Sequence, residues 1–214
     1  MRLRKKPWIA EAINQYSHFV HQNADSSAKG KWQEVFGRRA PLHVELGTGK
    51  GGFITETAAL TTNSNFIGIE AQVDVLFYAA QKAAAKELHN IRLLVFDINN
   101  ILDIFAEHEI DQLYINFCDP WPKARHAKRR LTHVNFLNKY RQILKSGSRL
   151  IFKTDNKPLF DFSLEQFCEA GLIVENITYD LHNSEFAVGN IMTEYEQKFS
   201  GLGMKINRCE VVFP

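Results

Sequence analysis

The chain has 214 residues, 45% of them hydrophobic and 12% aromatic, which is enough apolar material for one domain with a substantial core. Its longest apolar runs are strand-sized and interrupted by charges, so the sequence predicts no membrane span, and the basic start lacks the apolar segment of a secretory signal. The formal net charge is only +2, which excludes a uniformly basic chain, and we expect a cytoplasmic protein.

The basic residues are unevenly distributed. Nine of the 26 lie in two short segments, 2–6 and 123–130, and the remaining 17 are outnumbered by 24 acidic residues. A cationic patch on an otherwise acidic body is typical of a surface that binds a polyanion, most often a nucleic acid. For the N-terminal cations alone a solvated helix face is the simpler interpretation, whereas for 123–130 we favour polyanion binding.

Predicted strands and helices alternate along the chain after a basic arm and a helix in residues 1–40. Strands are predicted at 42–46, 65–70, 91–96, 112–117, 148–154, 172–180 and near 207–213. Helices are predicted at 52–60, 72–88, 100–108, 132–144 and 159–170. This βαβ series predicts an α/β domain over 41–214, with a doubly wound, mostly parallel sheet and helices on both faces.

The first strand of this domain runs into a glycine-rich segment, GTGKGG at 47–52. Ligands of such sheets bind at the carboxyl ends of the strands, and Gly47 and Gly49 allow the tight turn that a nucleotide-like ligand needs there. Together with Gly52 they also fit the dinucleotide pattern G-x-G-x-x-G, with Glu70 in the position of the ribose-binding acid. The glycines alone therefore leave a nicotinamide-dependent oxidoreductase open.

Acidic residues stand at or just after the ends of the first four strands of the domain, at Glu45, Glu70, Asp97 and Asp119. We expect the four carboxylates to converge on one edge of the sheet, where they would repel a pyrophosphate. S-adenosylmethionine carries a sulfonium and an ammonium, and its hydroxyl and amino groups donate hydrogen bonds, so it suits such an edge. We therefore favour this cofactor over a dinucleotide, although each acid taken alone also fits a helix cap or a solvated charge.

The segment FCDPWPKARHAKRRL, 117–131, places an aromatic residue and a basic run directly after Asp119. Prolines fix the backbone on both sides of Trp121, so the loop presents an acid and an aromatic plane stiffly at the cofactor edge. A substrate base could stack on Trp121, and the cations from Lys123 onward would then hold the phosphates of its polynucleotide. The alternative is that Trp121 packs on the core and the prolines only shape a turn.

The sequence resembles the bacterial tRNA (guanine-N7)-methyltransferases over nearly its whole length. The motifs that carry the resemblance are VELGTGKGGF, NFIGIE, NIRLLVFDI, YINFCDPWPKARHAKRRL, IFKTDN and NIMTEYEQKFSGLG. The resemblance implies a Rossmann-like domain that transfers a methyl group from S-adenosylmethionine to N7 of a guanine in the variable loop of tRNA. One departure is Cys118, where much of the family has Ser, and a small thiol should be tolerated there.

The resemblance also implies roles for individual residues. It implies cofactor contacts at Glu45, Glu70, Asp97 and Asp119, with Asp119 as the catalytic candidate. It implies substrate contacts at Lys123, Asp155, Thr193, Glu194, Tyr195 and Glu196. It implies tRNA contacts at Arg125, His126, Lys128, Arg129 and Arg130.

The two later motifs also have a purely local interpretation. Asp155 and Asn156 precede Lys157-Pro158, which is typical of a helix start, and Thr193 with Glu196 forms a T-x-x-E capping box. Capping alone would explain both motifs, and only the resemblance favours substrate contact. The cysteines and histidines show no metal-ligand spacing, so we assign no metal.

The chemistry of the methyl acceptor, guanine N7, determines which roles the acidic residues can have. Guanine N7 has a ring lone pair and no proton to lose, so its attack on the sulfonium methyl needs positioning and electrostatics more than a general base. Asp155 or Glu196 could accept hydrogen bonds from the guanine edge, while Asp119 orients the base or stabilises the cation that forms.

Three functions stay open: a tRNA methyltransferase, a nicotinamide-dependent oxidoreductase, and an RNA-binding domain without turnover. The acidic edge disfavours the second, and the glycine loop together with Asp119 disfavours the third. The sequence does not distinguish a monomer from a homodimer.

Overall fold

The computed structural model describes residues 6–214, so the N-terminal cations Arg2, Arg4 and Lys5 lie outside the described residues. A single eight-stranded sheet forms the centre of the described chain. In chain order its strands are β1 (Val20–His21), β2 (Leu42–Leu46), β3 (Asn65–Glu70), β4 (Ile91–Val95), β5 (Ile110–Asn116), β6 (Leu144–Thr154), β7 (Ile173–Thr178) and β8 (Asn207–Val212).

The strands lie in the order β1-β4-β3-β2-β5-β6-β8-β7. From β1 to β6 all neighbours are parallel, whereas β8 lies antiparallel between β6 and β7. The chain moves outward from β2 to β4 and then returns to place β5 on the other side of β2. This reversal puts the switch point between β2 and β5, and it confirms the predicted doubly wound, mostly parallel sheet.

Helices cover both faces of the sheet. They are α1 (Ile9–Ala12), α2 (Trp32–Phe36), α3 (Gly52–Leu60), α4 (Val73–Ala85), α5 (Val134–Ile143), α6 (Lys157–Glu169) and α7 (Glu194–Ser200). None of the helices in the described part of the chain has the length and apolarity that a membrane crossing requires.

Two apolar cores fill the spaces between the sheet and its helices. One core contains side chains of α1, α3 and α4, and the other contains side chains of α2, α5 and α6. Phe66 and Ile67 are neighbours on β3 but belong to opposite cores, and so do Leu93 and Leu94 on β4. Successive residues of a strand point to opposite faces, which is why these buried strands read as continuous apolar runs.

The helix predicted at 100–108 is wrong. The chain forms a 3₁₀ helix at Ile98–Asp103 instead, and its backbone leaves helical geometry at Asn100. Isoleucines at 98, 101 and 104 pack on one core, and a spacing of three residues matches the three-residue turn of a 3₁₀ helix. Glu109 then accepts a hydrogen bond from the backbone N–H of Ala106 at 2.8 Å, within the turn that leads into β5.

The described residues before 41 contain more than the predicted helix. Strand β1 pairs in parallel with β4 at the edge of the sheet, and α1 and α2 are each only about one turn long. Trp32 is buried, and its indole Nε1 donates to the carbonyl of Ile104 at 2.9 Å. The N-terminal segment therefore supplies an edge strand and a core side chain to the sheet.

Candidate active site

A cleft opens at the carboxyl ends of the parallel strands, at the switch point. It contains two adjoining cavities of about 390 and about 280 Å³, both lined by Gly47 of the glycine turn and Phe117 of the loop after β5. We call them the larger and the smaller cavity. The predicted site residues Glu45, Gly49, Thr193, Glu194 and Tyr195 line the larger cavity, and Glu70, Asp119, Trp121 and Arg129 line the smaller one.

The turn between β2 and α3 depends on its glycines. Gly47, Gly49 and Gly51 have φ angles of 74°, 58° and 77°, a region that residues with a side chain rarely adopt. A Cβ atom on Gly51 would lie only 2.4 Å from the Cβ of Ala79 on α4. These glycines let the chain turn sharply and bring α3 close to α4, with its N-terminus beside the larger cavity.

Glu45 is buried at the end of β2. Its carboxylate accepts hydrogen bonds from Thr48 Oγ1 at 2.5 Å and from Asn116 Nδ2 at 2.8 Å, and burial raises its pKa to about 7. The other side-chain atom of Asn116, Oδ1, is buried without a hydrogen-bond partner among the described residues. A buried acceptor of this kind calls for a donor, and Asn116 lines the larger cavity, so a ligand ammonium or hydroxyl group would satisfy it.

Two further carboxylates meet in the smaller cavity. Glu70 accepts hydrogen bonds from the backbone N–H groups of Gln72 at 2.9 Å and Gly49 at 3.3 Å. Burial, and to a smaller extent the charge of Asp119, raise the pKa of Glu70. Asp119 itself is exposed at the rim.

Asp97, the remaining acid of the predicted edge, lies outside both cavities. It is exposed and accepts hydrogen bonds from the backbone N–H and the Nδ2 of Asn99, at 2.9 and 2.8 Å. These contacts cap the 3₁₀ helix that follows, as its local interpretation allowed. A cofactor contact at Asp97 stays a prediction.

The start of α7 closes the larger cavity from the side. Thr193 Oγ1 accepts from the N–H of Glu196 at 2.9 Å, so the predicted capping box begins this helix. Glu194 accepts from the N–H of Gly52 at 3.2 Å and pairs with Lys82, while the ring of Tyr195 lies 5.1 Å from that of Phe117. These contacts join α7 to the glycine turn and to the loop after β5.

Asp155 joins the same side of the cleft through Tyr195, whose hydroxyl donates to Asp155 Oδ2 at 3.3 Å. Its neighbour Asn156 caps α6, since Asn156 Oδ1 accepts from the N–H of Leu159 at 2.8 Å. Capping at this motif therefore falls to Asn156, which leaves the second carboxylate oxygen of Asp155 for other contacts.

Glu196 is fully buried and lines neither cavity. Its two oxygens accept from Lys153 Nζ and Asn190 Nδ2, each at 2.7 Å. Lys153, near the end of β6, also donates to Asn190 Oδ1 at 3.1 Å and to the carbonyl of Ile191 at 2.9 Å. The pKa of Lys153 is lowered by burial, and the nearby Glu196 offsets only part of this effect. This pair anchors α7 to the sheet.

The basic segment after Trp121 forms a 3₁₀ helix at Ala124–Arg129. Four of its cations are exposed and have no carboxylate partner among the described residues: Lys123, Arg125, Lys128 and Arg129. The Arg129 guanidinium lies 4.9 Å from the centre of the Trp121 ring, and His126 meets the same ring edge-on at 5.7 Å.

Arg130 differs from these neighbours. It is half-buried, and its guanidinium donates to the carbonyl oxygens of Pro120 at 3.0 Å and Trp121 at 3.1 Å. The side chain therefore points back toward its own loop.

The sequence does not predict several residues of the site region, among them Asn116, Phe117 and Lys153. Asn116 and Phe117 stand just before Asp119 at a strand end, where ligands were expected, so their position was the available signal. Lys153 was signalled by a charge in the apolar strand LIFKT, because a lysine is rarely buried without a partner.

The chain was compared with known families and structures. Residues 39–209 match the family model Methyltransf_4, described as "Putative methyltransferase". Solved structures of methyltransferases share the fold. Among them are an antibiotic-related methyltransferase (18% identity, TM-score 0.63, 85% of this chain and 92% of that one) and the 16S rRNA methyltransferase KamB (12%, 0.64, 86% and 94%).

Much closer sequence relatives span the whole chain. A tRNA (guanine-N(7)-)-methyltransferase of Geobacillus sp. (strain WCH70) is 49% identical over 214 residues, covering 100% of this chain and 96% of the relative. The enzyme of the same description from Halalkalibacterium halodurans is 50% identical over 213 residues, with the same coverage. Since half of the residues are identical from end to end, this chain belongs to the tRNA (guanine-N(7)-)-methyltransferase family.

Proposed function

We propose that this protein transfers a methyl group from S-adenosylmethionine to N7 of a guanine in tRNA, in the variable loop, and that it does so in the cytoplasm. The observation that carries the proposal is the cleft at the switch point, where Glu45, Glu70 and Asp119 surround a glycine turn. The activity described for the full-length relatives supports the same assignment.

The polar groups of the cleft fit this cofactor. Glu45, Glu70 and the unpaired Asn116 Oδ1 are hydrogen-bond acceptors, and S-adenosylmethionine carries its donors on ammonium, hydroxyl and amino groups. When bound, the cofactor supplies an electrophilic methyl group. The pyrophosphate of a dinucleotide would face these carboxylates, so we do not adopt the oxidoreductase alternative.

We assign the catalytic role to Asp119. Its carboxylate is exposed at the rim of the smaller cavity, beside the ring of Trp121, where a base can enter. The guanine ring gains positive charge as N7 forms its bond to the methyl group, and a fixed carboxylate stabilises that charge. Trp121 offers a face on which the base stacks, so the loop supplies both electrostatics and orientation.

The tRNA is held outside the cleft. Lys123, Arg125, His126, Lys128 and Arg129 form a basic surface beside Trp121, and we assign to this surface the phosphates that flank the methylated guanine. On the other side of the larger cavity we assign guanine recognition to Asp155, Thr193, Glu194 and Tyr195. Glu196 contributes by anchoring these residues through Lys153, because its own oxygens are already engaged.

Methylation of bulk tRNA tests the function. The protein is incubated with unmodified tRNA and S-adenosylmethionine labelled in its methyl group, and the tRNA is then digested to nucleosides. We expect the label in 7-methylguanosine, with S-adenosylhomocysteine as an inhibitor. Label in a different nucleoside would contradict the assigned position. Tight tRNA binding without any transfer would favour the RNA-binding alternative.

A further inference from the structure

The guanidinium of Arg130 is committed to contacts inside the protein. Its Nε donates to the carbonyl of Pro120 at 3.0 Å and its Nη2 to the carbonyl of Trp121 at 3.1 Å. The same group lies 4.2 Å from the centre of the Phe162 ring on α6. Arg130 thus ties the loop after β5 to a helix of the core.

The loop that Arg130 holds has an unfavourable backbone conformation. Trp121 has φ 41° and Phe117 has φ 53°, although neither is a glycine. Bulky side chains seldom adopt this left-handed region, and they keep it only where surrounding contacts hold the backbone. The two carbonyls bound by Arg130 belong to Trp121 and to the residue before it, which is where such support is needed.

Arg129 and Arg130 are adjacent in sequence but have different surroundings. Arg129 ends the 3₁₀ helix and is exposed, with its guanidinium over Trp121. Arg130 has an extended backbone, φ −67° and ψ 131°, and this change of direction turns its side chain inward. Arg129 is exposed, whereas Arg130 is half-buried and has two of its nitrogens bonded to the loop.

We propose that Arg130 is a positioning residue, which holds Asp119 and Trp121 at the cleft and promotes methyl transfer through this loop instead of through a tRNA phosphate. The proposal rests on the proposed function, because it assigns the loop a place in that reaction. Of the two arginines that the sequence predicts to contact tRNA, Arg129 then belongs to the basic surface and Arg130 does not.

Replacing Arg130 by lysine distinguishes a phosphate contact from a positioning role. Both carry one positive charge, so a phosphate contact tolerates the replacement of Arg130 by lysine in large part. Lysine has no planar fork, however, and it cannot donate from two fixed nitrogens to two neighbouring carbonyls while lying over a ring. For a positioning residue, Arg130→Lys should therefore fail nearly as badly as Arg130→Ala.

The experiment compares Arg130→Lys and Arg130→Ala with Arg129→Ala and with Arg141→Lys. Arg141 also donates to a backbone carbonyl, that of Ala170, but on the outside of α5, so its replacement controls for a general loss of an arginine. Single-turnover methylation at saturating tRNA and filter binding over a salt series are measured on each folded protein. Hydrogen–deuterium exchange of residues 117–123 is followed without RNA.

We expect both Arg130 variants to transfer the methyl group about tenfold to a hundredfold more slowly, with an unchanged salt slope and faster exchange in the loop. Arg129→Ala should reduce the magnitude of the salt slope by roughly one unit, and Arg141→Lys should match the wild type. A wild-type transfer rate in Arg130→Lys, or a salt slope reduced in Arg130→Ala as in Arg129→Ala, would overturn the proposal.

Two further outcomes are also decisive. If the Arg130 variants do not fold, Phe162→Leu removes the ring beneath the guanidinium and leaves Arg130 in place. Slower transfer and faster loop exchange in that variant support the proposal, and wild-type values for both overturn it. If the wild-type protein forms no 7-methylguanosine, the proposed function fails, and the exchange measurement alone decides whether Arg130 holds the loop.

Discussion

The three acidic residues of the cleft differ in their exposure to solvent. Glu45 is buried, Glu70 is half-buried and Asp119 is exposed, although all three lie at or just beyond the ends of strands of the same sheet. The buried acid has its hydrogen bonds supplied by Thr48 and Asn116, whereas the exposed one can reach a substrate. Under the proposed function, the acids at the floor of the cleft contact the cofactor and the acid at its rim takes part in the chemistry.

Replacement of Asp119 by asparagine tests its catalytic role. The amide keeps the size of the side chain but not its charge, so we expect kcat to fall by about tenfold to a hundredfold. The tRNA dissociation constant and the melting temperature should change little. Steady-state kinetics and filter binding check this result, and a loss of activity that merely follows a loss of melting temperature would indicate a structural aspartate.

The raised pKa of Glu45 predicts a pH dependence of stability. Burial is the main cause, and the carboxyl titrates at about 7 in the folded protein but near 4.5 in the unfolded chain. Between these values the folded state binds more protons, so the contribution of Glu45 to stability is lost as the pH rises through this window and is constant above it. Without cofactor, the unfolding free energy of Glu45→Gln should therefore fall less over this pH window than that of the wild type, by roughly 1–3 kcal/mol.

Urea unfolding at pH 5 and pH 8 checks this pH dependence. The quantity of interest is the change in unfolding free energy between the two pH values, compared between wild type and Glu45→Gln. Other titrating groups contribute equally to both proteins and cancel in the comparison. An identical change in the two proteins would show that Glu45 titrates normally.

At the scale of elements, one buried ion pair links the short helix α7 to the sheet. Lys153 lies near the end of β6 and Glu196 in the first turn of α7, with Asn190 hydrogen-bonded to both. The pair fixes the side of the larger cavity that carries Thr193, Glu194 and Tyr195. The position of these residues therefore depends on a buried pair whose members do not themselves line the cleft.

Breaking the ion pair should be costly. Lys153→Met or Glu196→Gln each leaves a buried group without its charged partner, and we expect either change to destabilise the protein by about 3–5 kcal/mol. The double variant Lys153→Met/Glu196→Leu removes both charges of the pair and should recover part of that loss. A double-mutant cycle by chemical denaturation measures the coupling, and additive effects of the single changes would contradict it.

At the scale of the whole molecule, the basic segment 123–130 lies beside the cleft that contains the carboxylates. Arg125 and Lys128 line neither cavity and Arg129 lines the smaller one, whereas Lys50 and Lys198 line the larger cavity together with Glu45. Under the proposed function, the basic segment attracts the polyanion and the acids of the cleft accept the cationic cofactor.

The salt dependence of tRNA binding tests this division. Replacing Arg125, Lys128 and Arg129 together by alanine should weaken binding and reduce the magnitude of the salt slope by roughly one unit per lost phosphate contact. Lys31 and Arg39 are exposed near the amino ends of β2 and β5, and their double alanine variant is the matched control. Equal salt slopes for the two variants would mean that the 125–129 segment does not face the RNA.

The sequence by itself determined the sheet and the location of the cleft. Apolar runs of strand length alternate with helical patterns, and in a parallel sheet all strand ends that carry ligands lie at one edge. Because these signals are local, they pointed to the edge of the sheet where the glycine turn, Glu45, Glu70 and Asp119 line the cleft, although Asp97 lines neither cavity. Spacing was less informative at 98–104, where isoleucines three residues apart form a 3₁₀ helix.

Only the tertiary structure decided which polar side chains face the cleft and which face the protein. Glu196 reads as one half of a capping box, yet its carboxylate is taken by Lys153, 43 residues earlier in the chain. Arg130 reads as the last cation of a basic run, yet it lies against Phe162 and binds its own loop. The partners of both come from other elements, and the desolvation of a buried charge depends on where those elements pack, which no local pattern records.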